Sequence, residues 1–224
     1  MKRLLFGFIV IFIFSCSVNK PLTSSTTASE ISSLGYFEPV AFINYIEKGN
    51  KSAPSDSLSY ITKYALDSLM FKYKSKFRLS NKLTFDNDTT RSIFKTETGR
   101  LAQKITQQRS LSGIKITPVI DSILEHNNTR FGLSVIATGF GRRKGNFGGQ
   151  VAKGIGIGIL TMGMATVVPI KSSLNLYTFI FDSKKDEVAY FKRQIPNRQI
   201  EPTDIKSIEE ILLSTFEDYF YSKD

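Results

Sequence analysis

The chain has one cysteine, Cys16, and it closes an apolar segment near the amino terminus. This limits the fold more than any other feature. No intrachain disulfide can form, and a cysteine-built zinc site is excluded. The 224-residue chain must hold itself together by burying side chains. The segment before Cys16 starts with the cations Lys2 and Arg3, continues with an uncharged apolar run over residues 4–14, and ends on small Ser15. A positive start, a short apolar middle and a small last residue make a secretory signal layout. The run is too short for a lasting membrane span, which needs roughly 20 residues. Residues 1–15 are therefore expected to be a signal peptide.

Behind Cys16, residues 17–33 are rich in Ser and Thr and poor in apolar side chains. This composition predicts a flexible tether over 16–33. Residues 34–224 are enough for one domain with a real core. The formal charge is +10, and loss of Lys2 and Arg3 leaves about +8. Such a charge favours anionic surfaces. For an exported chain the membrane surface is the expected partner and nucleic acid is not. The alternative is charge that serves solubility alone.

Local patterns predict a mixed α/β or α+β domain. Residues 36–47 are apolar, aromatic and β-branched, and read as the first strand. Pro39 puts its start at an edge or a bulge. Leu58, Ile61, Ala65 and Leu69 fall at helical spacing within 55–77. Residues 83–85 read as a short strand. A second helix is expected over 88–108 with Ile93, Leu101 and Ile105 inward, and a third from Thr117-Pro118 to Glu125. Strands follow at 130–140, 173–181 and 187–195, the last two joined by a polar turn at 182–186. A closing helix starts at Thr203 or Asp204 and runs to Tyr219. The expected architecture is a single sheet with helices packed on one face and a glycine-rich insertion between strands.

That insertion, residues 139–170, holds nine of the fifteen glycines, and 154–170 carries no charge. Gly154, Gly156 and Gly158 suggest a dinucleotide loop only superficially, because a β-rich region follows where a helix is required. Three readings stay open. The segment is an elaborated loop folded on its own domain. Or it is an apolar hairpin facing membrane or another subunit. Or its basic glycine turn binds a phosphate. The candidate anion or membrane contacts are Arg142, Arg143 and Lys144.

No catalytic constellation is visible. The sole histidine, His126, falls at a helix end and reads as a C-terminal cap. A Ser-His-Asp triad would need that residue, and no nucleophile elbow accompanies it. Asp86 and Asp88 lack the glycine and the last glutamate of a calcium loop. Asp182, Asp186 and Glu187 share a turn with Lys184 and Lys185, which reads as a solvated hairpin end. No metal site is expected.

Two resemblances add to this. Ile13-Phe14-Ser15-Cys16 resembles the bacterial lipobox, although Phe14 is bulkier than usual there. The resemblance implies cleavage before Cys16 and acylation of its sulfur and new amino group, a covalent lipid and no other cofactor. Ser17 in place of Asp implies sorting to the outer membrane, facing the periplasm. The element order of the domain is similar to that of small Gram-negative envelope lipoproteins. These include the curli secretion lipoprotein CsgG, the TolB amino-terminal domain and the penicillin-binding-protein activator LpoB. It implies a non-enzymatic binding or assembly module with an envelope protein partner. The alternative is a homo-oligomeric secretion-channel subunit that inserts 154–170 into the outer membrane. The resemblance carries over no functional residue.

Overall fold

The computed structural model describes residues 20–47, 51–143 and 171–222. Cys16, the signal segment, Lys144 and the uncharged run 154–170 lie outside the described residues. The described chain forms β1 (Leu22–Thr23), β2 (Leu34–Tyr36), β3 (Val40–Ile46), β4 (Ser52–Pro54), α1 (Asp56–Lys72), β5 (Leu79–Lys82) and α2 (Asp88–Gln108). It continues with α3 (Pro118–His126), β6 (Phe131–Arg142), β7 (Ser173–Asp182), β8 (Glu187–Gln194) and α4 (Ile205–Thr215). All eight strands belong to one mixed sheet, so the expected mixed α/β class holds.

Helix starts follow local chemistry. Ser55 accepts the amide of Leu58 at the start of α1, and Asn87 accepts that of Thr90 at the start of α2. Thr117 accepts the amide of Ile120, with Pro118 in the first turn of α3, where its missing N–H costs nothing. The Asp204 carboxylate accepts the Ser207 hydroxyl at 2.6 Å beside the first turn of α4.

The sheet order is β1-β8-β7-β6, with β2 and β3 sharing the far side of β6. Both run parallel to β6, pairing Gly35 with Gly132 and Val40 with Ile136. The first strand thus spends one more residue than β6 over that stretch. Pro39 lies in it, so the bulge expected there is found. β6 and β7 pair antiparallel from Phe131–Asp182 to Phe140–Ser173. The glycine-rich segment therefore leaves and re-enters the sheet at neighbouring points.

The helices pack on both faces, which corrects the one-face expectation. Leu133, Val135, Leu176, Ile180 and Tyr190 face α1 and α4. Ile136, Phe179, Phe181, Val188 and Phe191 face α2 and α3. The central strands are apolar on both sides, and each side must be covered. Helix α2 is also turned from its expected phase. Ile93 is 40% exposed, while Phe94 is buried and stacks on Phe37 at 4.1 Å between ring centres.

The expected tether is corrected as well. Residues 20–33 are docked on the domain rather than trailing from it. β1 pairs antiparallel with β8, Leu22 opposite Phe191. Thr26 and Ile31 are buried, and the Arg78 guanidinium donates to the carbonyls of Ala28 and Ile31, each at 2.8 Å. The domain thus includes residues 20–33. The Ser/Thr-rich composition hid this because its hydroxyls serve as hydrogen-bond partners for the carboxylates of Asp182, which is buried, and Glu187.

Candidate functional site

The sequence-named cations sit where the chain leaves the sheet. Arg142 is the last residue of β6, paired with Ile46, and is half-buried. Arg143 is exposed, and its amide donates to the Ile46 carbonyl at 3.0 Å. The chain returns at Lys171, which pairs with Glu201 at 3.9 Å. Lys51 stands at the same end, its carbonyl accepting the Glu47 amide at 2.9 Å. The structure therefore gathers Lys51, Arg142, Arg143 and Lys171 at one end of the sheet.

A buried charge cluster, which the sequence did not reveal, holds the amino-terminal segment in place. Asp182 ends β7 and is fully buried. Arg130 donates to it through Nε at 2.8 Å and Nη2 at 2.7 Å, a bidentate fork. The amides of Lys184 and Lys185 point at Asp182 Oδ1 at 3.0 and 3.4 Å. The Thr26 hydroxyl stands 3.0 Å from Asp182 and 2.9 Å from Glu187, and it donates to one at a time. The Ser24 hydroxyl donates to Glu187 at 2.6 Å. Burial alone would raise the Asp182 carboxyl. The hydrogen bonds from Arg130 and Thr26 outweigh it and hold the group below its ordinary value. Asp182 reads in sequence as one more residue of a polar turn, because its partners lie 52 and 156 positions away.

His126 is the last residue of α3, but the cap expected of it is supplied by Asn127, whose side-chain amide donates to the Ile123 carbonyl at 2.8 Å. His126 is exposed and 3.4 Å from Asp86. Tyr190 is buried, and burial pushes its hydroxyl far above its ordinary value; it donates to the Thr215 carbonyl. These groups fasten elements together. None of them is arranged as a nucleophile beside a base. Among the described residues, no group of three or more His, Cys, Asp or Glu stands close enough to hold a metal.

An apolar concavity of about 430 Å³ lies between α2 and the sheet. Its floor is Phe42, Ile136, Thr138 and Tyr177; its helix wall is Gly99, Ala102, Gln103 and Thr106. Arg193 closes one side, its guanidinium 5.8 Å from the centre of the Tyr177 ring. A polar cavity of about 440 Å³ lies beside the buried cluster, where Lys115 pairs with Asp186 at 2.5 Å. Among the described residues, no helix is long and apolar enough to cross a membrane. No family model matches the chain, and a search of curated proteins finds no relative.

Proposed function

We propose that the protein is a lipid-anchored, non-enzymatic binding or assembly module of the outer membrane, facing the periplasm. The observation that carries this reading is the docking of residues 20–33 just behind Cys16. Six steps of chain separate Cys16 from Leu22 in β1, a reach of at most about 20 Å even when fully extended. A lipid on Cys16 would hold this domain against the bilayer rather than let it roam. Arg142, Arg143 and Lys171 would then meet anionic head groups, each basic residue contributing about 1 kcal/mol near the surface. An envelope protein partner is supported by the outer side of α1, where Tyr60, Tyr64 and Phe71 are largely exposed. Aromatic side chains are enriched at protein interfaces.

The test is fractionation of cells expressing the full chain and Cys16→Ala. The native protein should partition with the outer membrane and take up labelled palmitate. Cys16→Ala should do neither. Membrane retention of Cys16→Ala would refute the lipid as anchor.

A second reading, a secretion-channel subunit, is favoured by the adjacency of Phe140 and Ser173. An inserted hairpin has to leave and rejoin its domain at neighbouring strands. Light scattering and electron microscopy of the detergent-solubilised protein decide between the two. A discrete ring supports the channel, and a monomer or dimer rejects it.

A further inference from the structure

We propose that the groove between α2 and the sheet binds an anionic amphiphile, a single hydrocarbon chain ending in a carboxylate or phosphate. This is independent of the anchoring reading. The groove is within the size range of small-molecule sites and is walled mainly by apolar atoms. Its polar residues are Gln103, Thr106, Gln107, Thr138 and Arg193, and two of them carry buried atoms that lack partners. Arg193 Nε and Thr106 Oγ1 are both buried and make no hydrogen bond. A buried donor without a partner is destabilising, and an anionic head would relieve it. Among the described residues, no carboxylate lies within ion-pair distance of Arg193. The cation is left free to receive one from a ligand.

The floor also says what the ligand is not. Phe42, Ile136, Thr138 and Tyr177 project from β3, β6 and β7. β6 and β7 are interior strands, each paired on both sides, so their amides are already used. A peptide backbone laid in the groove would bury its own amides without partners there. A hydrocarbon chain has no such groups. Gly99 keeps the helix wall low: a methyl group added there would meet nothing within 4 Å.

The experiment is photolabelling of the full chain, in membranes and after purification. The probes are a diazirine-bearing fatty acid, the alkyl phosphate and the alcohol of the same length, with labelled peptides mapped by mass spectrometry. The acid or the phosphate should label the peptides that contain Phe42, Gly99 or Tyr177, and whichever labels more strongly names the head group. The alcohol should label them at least tenfold less. Arg193→Gln should lower labelling by the charged probes roughly tenfold or more, to the level of the alcohol. Gly99→Phe places a ring at a position where a Cβ meets nothing within 4 Å, and should abolish labelling by all three while leaving the circular dichroism spectrum unchanged. Equal labelling by acid and alcohol, undiminished labelling of Gly99→Phe, or labels confined to other surfaces would each overturn the proposal. Labelling of the purified chain does not depend on the anchor, so loss of membrane association would refute the anchoring reading alone.

Discussion

Replacing Asp182 with Ala should unfasten the amino-terminal segment. The native carboxylate accepts two bonds from Arg130, one from Thr26 and two from the turn amides of Lys184 and Lys185. Breaking a fully buried pair by removing one partner costs about 3–5 kcal/mol, because the other charge is stranded. Here the Arg130 side chain keeps 31% of its exposure and has Glu30 at 3.6 Å, so it is only partly stranded. The low end, about 3 kcal/mol, is expected. For a domain of this size that lowers Tm by roughly 6–12 °C. Two assays follow it: thermal unfolding by circular dichroism, and limited proteolysis with the first cut mapped between residues 20 and 31. The pH dependence is fixed in sign. The folded Asp182 carboxyl lies below its ordinary value, so its contribution is complete above the unfolded value near ~3.9. It is lost as pH falls through the folded value. The Tm gap between the native chain and Asp182→Asn should therefore be full at neutral pH and begin to close only as pH falls below about 4. A Tm change under about 2 °C with unaltered proteolysis would refute the account, and so would a gap that does not close with acid.

Two further pairs of substitutions test the packing. A methyl group at Gly139 would stand 2.0 Å from the Ser173 carbonyl oxygen, so Gly139→Ala should force β6 and β7 apart and cost more than about 2 kcal/mol, whereas Gly99→Ala, in open space on α2, should stabilise by about 0.5–1 kcal/mol; urea titration of the pair checks both signs. Phe94→Ala should cost about 3–5 kcal/mol, since that ring is buried and stacked on Phe37, while Ile93→Ala should stay under about 1 kcal/mol; a larger loss at Ile93 than at Phe94 would restore the helix phase expected from sequence.

The positions of most elements were legible because their signals are local. Asn87, Thr117 and Pro118 mark helix starts from within a few residues, and α2 runs over 88–108 as the spacing predicts. The rotation of α2 was not legible. Ile93 and Phe94 are adjacent and both apolar, and only the ring of Phe37 on the bulged first strand decides which turns inward. The short strand expected over 83–85 instead forms as Leu79–Lys82, and Leu83 turns inward against α2 and α3. The groove was hidden for the same reason. Arg193 and Gly99 are separated widely in sequence and meet only because β8 and α2 share one side of the sheet.

By itself the sequence determined the four helices, the strands within 36–47, 130–140, 173–181 and 187–195, and the β-hairpin of β7 and β8, but not β1, β4 or β5. It also marked the adjacency of the basic turn to the uncharged run. These depend on periodicity, caps and composition, which act over a few residues. Only the tertiary structure decided that helices cover both faces, that residues 20–33 belong to the domain, and that Asp182 is buried under Arg130 and Thr26. Each of these depends on burial and charge pairing between segments far apart in the chain. A residue's neighbours along the chain carry no record of what will be folded against it.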